Sequence, residues 1–212
     1  MKITRIVLGA IQTNCYFVIN EADNKAVIID PACDAGAILD ECGRLGVTPA
    51  AILLTHGHYD HTGGVFDLKA RLDLPVYAGE HEKALLCDPM QNGEYLMVSE
   101  VARRGATPVA ADKWLTDGEV ISPADIPIKI IAAPGHTAGG VCFYLESERV
   151  LFSGDVLFAQ SYGRTDLPTG DMKSLVNSIT VKLFGLPDET VVYPGHGEAT
   201  SIGVERGGNP IL

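Results

Sequence analysis

Three imidazoles and a carboxylate crowd a short stretch of the chain that could hold a metal ion. His56, His58, Asp60 and His61 follow directly after an apolar run at residues 50–54. Neutral imidazole is the commonest protein ligand for zinc and similar ions, and carboxylates bind such ions as well. A strand that ends in this loop therefore predicts a metal site.

The spacing within this loop predicts two neighbouring metal positions rather than one. Side chains alternate with a period of two along an extended chain, so His56 and His58 should project to the same side. His61 lies an odd number of positions further on and should point elsewhere, with Asp60 beside it. We therefore expect His56 and His58 to serve one metal, and Asp60 and His61 to serve another.

Three further turns repeat the same local design of strand, turn and metal-capable side chain. His136 lies in a Pro-Gly-His-Thr turn, His196 lies in a Pro-Gly-His-Gly turn, and Asp155 follows Ser-Gly. Each comes after a short apolar run that predicts a strand. Loops at one edge of a sheet present ligands from rigid strands, so we expect these side chains to converge on the histidine-rich loop.

In this order, the four motifs resemble those of the metallo-β-lactamase superfamily. They run from residue 52 to residue 197, and the strands predicted outside them fit the same fold, so the resemblance covers nearly the whole chain. The segments Gly-Arg-Thr-Asp-Leu-Pro at 163–168 and Glu-Arg-Gly-Gly-Asn-Pro at 205–210 are similar to those of the short bacterial glyoxalase II-like hydrolases, the hydroxyacylglutathione hydrolases. The resemblance implies an α/β fold, a four-layer αββα sandwich, with a dinuclear metal site at one edge of its two sheets.

The resemblance also implies a role for each residue of the motifs. Two groups of three are expected to hold one metal each: His56, His58 and His136 for the first, and Asp60, His61 and His196 for the second. Asp155 is expected to bridge the metals, because a carboxylate has two oxygens and can span ions about 3.5–4 Å apart. We expect two divalent metals per chain, with zinc as the expected metal and iron or manganese as the alternatives.

Two residues outside the ligand set each allow two interpretations. Asp30 is similar to a family position that braces the site from behind, but it could equally be a turn residue before a proline. Arg164 stands where the family places a basic residue near the thiol carrier, and its guanidinium can hold a carboxylate in a bidentate pair. The alternative for Arg164 is an internal salt bridge to Asp166 that shapes the loop.

Length, composition and charge narrow the class of protein. A chain of 212 residues with 46% apolar content predicts one metallo-hydrolase domain over residues 1–212, with a large core. The C-terminal helical region with which larger glyoxalase II enzymes grip glutathione is not expected. The net charge of −11 argues against binding to nucleic acid or to an anionic membrane surface.

The cellular location follows from the same composition. The apolar runs fall short of the roughly 20 residues that span a bilayer, and the N-terminus does not resemble a signal peptide. The five cysteines are odd in number and form no C-x-x-C pair, as is typical of reduced, mostly buried thiols. We therefore expect a cytoplasmic protein. Because the charge argues against nucleic acid and membrane, its expected partner is a small-molecule substrate.

Hydrophobic periodicity and turn residues predict the elements that position the motifs. The predicted strands cover 2–9, 15–20 and 26–30, with a hairpin over 140–146 and 149–153. One helix is expected from Ala35 to Leu45, between Asp34 as its N-cap and Gly46 as its stop, and a second just after His61. A third is expected after Asp171 as its cap, and Gly185 ends it. Its apolar residues form one stripe: Met172, Leu175, Val176, Ile179 and Leu183. The helical pattern at 98–104 is weak, and residues 87–118 allow no clear interpretation. A strand followed by Asp and a strand followed by His each occur twice, which indicates a two-fold relation between the halves.

The predicted metals define the chemistry. Zinc lowers the pKa of bound water to about 7, so a metal-bound hydroxide is available near neutral pH as a nucleophile, and Asp60 and Asp155 are the expected catalytic carboxylates. A thioester suits such attack, because a cysteine-like thiol with a pKa of about 8.5 leaves as thiolate without much help from an acid. No Gly-x-Ser-x-Gly motif indicates a serine nucleophile. The resemblance implies hydrolysis of hydroxyacyl-glutathione thioesters.

Two alternatives stay open at this point. A mononuclear-iron persulfide dioxygenase has a similar Gly-Arg-Thr-Asp loop and would use a single redox metal. Another metallo-hydrolase, such as a lactonase, a β-lactamase or an RNA-processing nuclease, is the second alternative. Asp155 argues against those β-lactamases that place a cysteine at the corresponding position, and the negative net charge argues against a nuclease.

Overall fold

The computed structural model describes residues 1–88, 90–93 and 108–212, and two six-stranded sheets form its centre. The first sheet runs in chain order: β1 (Lys2–Leu8), β2 (Thr13–Asn20), β3 (Lys25–Ile29), β4 (Thr48–Leu53), β5 (Val76–Gly79) and β6 (Lys113–Leu115). The remaining strands are β7 (Val120–Ile121), β8 (Ile128–Ala132), β9 (Val141–Leu145), β10 (Val150–Gly154), β11 (Leu157–Phe158), β12 (Ser161–Tyr162), β13 (Val191–Pro194) and β14 (Thr200–Ser201). The second sheet has the order β14-β13-β10-β9-β8-β7, and β11 and β12 form a separate hairpin.

Six α-helices connect and flank these strands in the described ranges. They are α1 (Ala35–Leu45), α2 (Tyr59–Thr62), α3 (Val65–Arg71), α4 (Lys83–Cys87), α5 (Met172–Asn177) and α6 (Ile202–Gly208). A 3₁₀ turn at Glu80–Glu82 leads into α4, and a π-helical turn at Ser178–Lys182 continues α5. No helix in these ranges has both the length and the apolar character needed to cross a bilayer.

The first helix shows how local sequence sets an element. The Asp34 carboxylate accepts a hydrogen bond from the backbone N–H of Ala37 and so satisfies one of the unpaired donors at the start of α1. Gly46 ends the helix with a φ of 68°, a left-handed conformation that glycine adopts without steric cost. The predicted boundaries of this helix are confirmed.

Strand alternation produces three layers of core. Tyr16 and Val18 of β2 point into a central core that they share with Phe143 of β9 and Phe152 of β10, between the two sheets. Their neighbours on the opposite face, such as Phe17, pack against the helices. An outer core joins the first sheet to α1 and α3, and another joins the second sheet to the α5 region and α6. The predicted αββα sandwich is confirmed.

Four strands of each sheet repeat one topology. Strands β1, β2 and β3 form an antiparallel meander, and β4 then pairs with β3 in parallel. Strands β8, β9 and β10 form the corresponding meander, and β13 pairs with β10 in parallel. Asp30 and Asp155 follow the third strand of each meander, and His56 and His196 follow the parallel strand. This repeat agrees with the two-fold relation that the sequence indicated.

Two predicted helices differ in detail from the structure. The helix expected just after His61 is divided in two, and α2 already contains His61. The third helix begins at Met172 as predicted but changes to a π-helical turn after Asn177. Its buried stripe is also narrower, because Met172 is 43% exposed. The weak helical pattern at 98–104 lies outside the described residues.

Candidate metal centre

Four strand ends place the predicted ligands at one edge of the sandwich, and a fifth places Asp30 beside them. Strands β3 and β4 run in the same direction, as do β8, β10 and β13 in the second sheet. The residues that follow these strands include Asp30, the histidine-rich loop, and the turns that carry His136, Asp155 and His196. The structure brings all seven predicted ligands into one cluster.

The first ligand group consists of His56, His58 and His136. Their donor nitrogens lie within 4.8 Å of one another, and all three side chains are buried. His58 Nδ1 lies 2.9 Å from His136 Nε2, and the His56 ring stands 4.8 Å from both other rings. Three imidazole nitrogens that face a common point form a suitable half-shell for a divalent cation.

The second ligand group consists of Asp60, His61 and His196. Asp60 Oδ2 lies 3.2 Å from the Nε2 atoms of both His61 and His196. The group is more open than the first, because the side chain of His196 is 25% exposed and that of Asp60 is 17% exposed. It therefore forms the side of the cluster that faces solvent.

Asp155 stands between the two groups. Its Oδ1 lies 3.4 Å from His61 Nε2, and its Oδ2 lies 3.4 Å from His196 Nε2 and 3.7 Å from His136 Nε2. The rings of His56 and His61 are also neighbours, with centroids 4.1 Å apart. One carboxylate thus contacts members of both groups.

Hydrogen bonds behind the rings determine which nitrogen faces the cluster. The Nδ1 atoms of His136, His196 and His61 lie 2.7, 3.1 and 2.8 Å from the Arg164 carbonyl, the Ile11 carbonyl and Asp30 Oδ2. These oxygens can only accept, so each Nδ1 carries a hydrogen, and in a neutral ring the Nε2 lone pair then faces the cluster. This arrangement is the usual second layer behind metal-ligating histidines.

Asp30 connects this second layer to the start of the loop. Its Oδ1 accepts from the Thr55 N–H at 2.8 Å, and its Oδ2 accepts from the Thr55 hydroxyl at 2.6 Å as well as from His61. Because the Thr55 hydroxyl donates to Asp30, it can accept from His56 Nδ1, which lies 3.0 Å away. The buried Asp30 carboxylate therefore contacts the ligands from behind, which is the position that the family resemblance implied.

The cluster has the chemistry that a divalent cation requires. Among the described residues, the buried atoms without a hydrogen-bond partner include Nε2 of His56, His58 and His61 and Oδ1 of Asp155. The ligand atoms of His56, His61 and Asp155 lie within 4.8 Å of one another. Buried polar atoms are normally paired, so atoms of this kind that converge on one point indicate a binding site for a cation. Imidazole and carboxylate together suit zinc, iron and manganese. The residues present thus fit a divalent metal centre.

Burial and charge set the protonation of the first group. Burial lowers the pKa of His56 well below its ordinary value, and the neighbouring imidazoles add to this effect. Burial, with His136 next to it, lowers the pKa of His58 to about 3. These two rings are therefore neutral near pH 7 in the metal-free protein, as a metal ligand must be.

In the second group, the pKa values of the two histidines are raised rather than lowered. Burial disfavours the charged form of His61, but Asp60, Asp155 and Asp30 outweigh it and raise its pKa well above the ordinary value. Burial is likewise outweighed at His196, where Asp155 and Asp60 raise the pKa to about 10. The pKa values of both Asp60 and Asp155 are lowered in turn, since His61 and His196 outweigh the effect of their burial. Metal-free, this group is an array of alternating charges.

The structure places Arg164 in the second of its two predicted arrangements. Its guanidinium pairs with Asp166 at 2.6 and 2.7 Å, and both side chains are mostly exposed. Its backbone carbonyl accepts from His136 Nδ1, a contact that the sequence did not predict. A role of the Arg164 side chain in substrate binding stays a prediction.

Two sets of supporting residues were missed in the sequence. Glu82 is buried and accepts hydrogen bonds from both loops that carry the first group. Asn14 and Tyr16 donate to the Pro194 carbonyl at 2.9 and 2.7 Å, and Arg5 donates to the Gly197 carbonyl at 2.7 Å, so the first sheet holds the turn of His196. These contacts join residues far apart in the chain, so no short sequence motif predicts them.

Comparison with known proteins agrees with this geometry. The family model for the metallo-beta-lactamase superfamily matches residues 8–196. The hydroxyacylglutathione hydrolase GloC of Haemophilus influenzae is 34% identical over 217 residues, with 100% of this chain and 98% of that protein covered.

Two solved structures have the same fold over the whole chain. The BLEG-1 B3 metallo-beta-lactamase superposes with a TM-score of 0.88 at 42% identity and covers 100% of this chain and 99% of its own. The di-iron-bound form of TTHA1623 superposes with a TM-score of 0.84 at 36% identity and covers 99% of this chain and 100% of its own. Together with the family model and the His/Asp cluster at the edge of the sandwich, these matches establish that the chain belongs to the metallo-β-lactamase superfamily.

Proposed function

We propose that this enzyme is a dinuclear metal-dependent hydrolase that cleaves the thioester of hydroxyacyl-glutathione or of a similar small acyl-thiol. The observation that carries the proposal is the cluster of seven ligands, in which Asp155 contacts His61 of one group and His136 of the other. The similarity to GloC, which extends over the full chain, supports the substrate class. The similar TTHA1623 structure, which was solved in a di-iron-bound form, supports a centre with two metals.

The buried residues and the more exposed residues would hold different metals. His56, His58 and His136 would hold the first metal, and Asp60, His61 and His196 would hold the second, with Asp155 between them. Bound divalent metals would supply the Lewis acidity that lowers the pKa of water to about 7 and polarises an acyl carbonyl. Substrate would reach the centre from the side of Asp60 and His196, which is the open side of the cluster.

The thiol leaving group needs little help from the protein to depart. A thiolate departs without a strong general acid, because a cysteine-like thiol has a pKa of about 8.5. In the described part of the site, the His, Cys, Asp and Glu side chains that lie close enough together to hold a metal are the ligands themselves. Phe158, on the hairpin of β11 and β12, has its ring centroid 6.3 Å from that of His196 and would form an apolar wall beside the substrate.

A second candidate is hydrolysis of a β-lactam. The similar BLEG-1 structure is described as a B3 metallo-beta-lactamase, and its identity to this chain is 42%. An amide leaving group is a much stronger base than a thiolate, so this reaction would demand a proton donor that thioester hydrolysis does not. We therefore place thioester hydrolysis first.

One panel of assays decides among these reactions. Protein produced in medium with zinc and in medium with iron is compared for metal content and for turnover of S-lactoylglutathione, glutathione persulfide and a β-lactam. We expect thioester hydrolysis at two metals per chain, with kcat/KM for the thioester well above that for the β-lactam. One iron per chain with oxygen uptake on the persulfide would instead establish a dioxygenase, and preference for the β-lactam would establish a lactamase.

A further inference from the structure

A buried carboxylate outside the ligand set lies between the two loops that form the first ligand group. Glu82 ends the 3₁₀ turn that precedes α4, and it is 1% exposed. A charged side chain in such a position is rare unless it is fully paired. Its partners therefore indicate what it does.

Glu82 accepts three hydrogen bonds, and they come from both loops. Its Oε2 accepts from the backbone N–H of Gly57 at 2.7 Å. Its Oε1 accepts from the Thr137 hydroxyl at 2.5 Å and from the Gly139 N–H at 2.9 Å. Gly57 stands between His56 and His58, and Thr137 follows His136, so one carboxylate connects the backbones that carry all three ligands.

Gly57 and Gly139 pack closely against Glu82. A Cβ atom at Gly57 would lie 2.7 Å from Glu82 Oε2, and one at Gly139 would lie 2.4 Å from the Glu82 backbone nitrogen. Real Cβ atoms do not approach other atoms so closely. The loops therefore approach Glu82 at a distance that only glycine allows.

We propose that Glu82 is a positioning residue for the first metal, in that it fixes the loop of His56 and His58 at the distance from the His136 turn at which their donor nitrogens converge. This inference rests on the proposed dinuclear function. Asp30 is a second buried carboxylate behind the cluster: it contacts His61 of the second group directly and reaches His56 of the first group through the Thr55 hydroxyl. Glu82, by contrast, accepts its hydrogen bonds from the two loops of the first group.

A glutamine cannot replace this carboxylate. Both Glu82 oxygens accept from a backbone N–H, and an amide has one oxygen and one NH₂ group. In either orientation, the amide NH₂ of Glu82→Gln faces a backbone N–H, so one loop loses its partner and is repelled. Outer-layer changes of this kind typically reduce metal affinity by about 10–100-fold.

The test measures the affinity of each metal site. Metal-free Glu82→Gln is titrated with zinc against a chromophoric chelator, and the occupancy of each position is read from anomalous scattering at the zinc edge in crystals grown at limiting zinc. Glu80→Gln is the matched control, because Glu80 lies two residues earlier on the same turn and its side chain is 48% exposed. We expect Glu82→Gln to bind the metal of the first group about 10–100-fold more weakly, and Glu80→Gln to behave as the parent.

A milder variant guards against misfolding of Glu82→Gln. Thr137→Val keeps the shape of the side chain and removes only the hydroxyl that donates to Glu82. This variant should weaken binding of the metal of the first group by at least about threefold, since a hydrogen bond to a charged acceptor is lost. A lower melting temperature of the metal-free variants, with parent affinity at both positions, would show that Glu82 only stabilises the fold and would overturn the proposal.

Occupancy of the second metal position distinguishes a failure of this inference from a failure of the proposed function. The double variant of Glu82→Gln and Asp60→Asn should lose affinity at both positions, because each change affects a different group. If the double variant retains one metal at parent affinity, Glu82 does not serve the first group, and the inference fails while the proposed function stands. If the parent binds only one metal, the dinuclear function fails instead.

Discussion

The two ligand groups lie side by side but differ in charge and in exposure. The first contains three imidazoles that are each at most 5% exposed, and burial keeps His56 and His58 neutral. The second contains a carboxylate and two imidazoles whose pKa values are raised, and it faces solvent. One group is therefore ready to receive a metal, whereas the other must first give up protons and, in the proposed function, would be the side that meets substrate.

The largest effect should come from the carboxylate that both groups share. Asp155→Asn keeps the shape of the side chain but removes the negative charge that contacts His61, His196 and His136. We expect weaker binding of both metals and a fall in kcat of at least about 100-fold, the upper end for a disturbed metal site. Metal content and kcat are measured together, and loss of only one metal would mean that Asp155 belongs to one group alone.

A smaller effect should follow from a change within the second group. Asp60→Asn removes the only carboxylate of that group, so we expect loss of the second metal with retention of the first, and a fall in kcat of at least about tenfold. The measurement is the number of metals per chain beside steady-state turnover. Unchanged turnover would make the second position dispensable and would favour a mononuclear enzyme.

The pKa values predict that the two metals respond differently to pH. In the metal-free protein, His196 has a raised pKa of about 10, so it is protonated at neutral pH and must release a proton when a metal binds. The affinity of the second metal should therefore fall about tenfold per pH unit for each proton released as the pH drops below that value. His58, with a pKa of about 3, is already neutral and adds no such dependence to the first metal.

Zinc titrations at several pH values check this contrast. The slope of log affinity against pH should be steeper for the second metal than for the first over the neutral range. Equal slopes would show that the two groups do not differ in protonation.

The smallest effect should be that of Arg164, whose carbonyl supports the first group while its side chain is mostly exposed. An exposed ion pair contributes little stability, so the guanidinium can exchange Asp166 for a substrate carboxylate. We expect Arg164→Ala to raise KM by roughly tenfold or less with little change in kcat, the signature of lost uniform binding.

Asp166→Asn is the matched control for this exchange. If Arg164 binds substrate, removal of its internal partner leaves KM unchanged or lowers it. Equal effects of both variants would mean that the pair only shapes the loop. A change in kcat in Arg164→Ala would indicate that the His136 turn has shifted.

The sequence predicted which side chains meet in the cluster, because each lies in a short motif at a strand end. The apolar run of β2 and the caps of α1 are also local, and both elements were confirmed. Glu82 was missed, since it lies beside Glu80 and its partners are contributed by loops 25 and 57 positions away. The change of α5 into a π-helical turn was missed for a similar reason, because the sequence predicts a helix there without specifying its hydrogen-bond register.

The most direct test of two unequal metal groups is a stepwise titration of metal-free protein. Zinc is added in sub-stoichiometric amounts to protein stripped by a chelator, and the hydrolysis of S-lactoylglutathione is followed with each addition. We predict that the first equivalent binds with little activity and that turnover rises to its full value only with the second. Full turnover at one metal per chain, with no further rise, would contradict the division of the centre into two unequal groups.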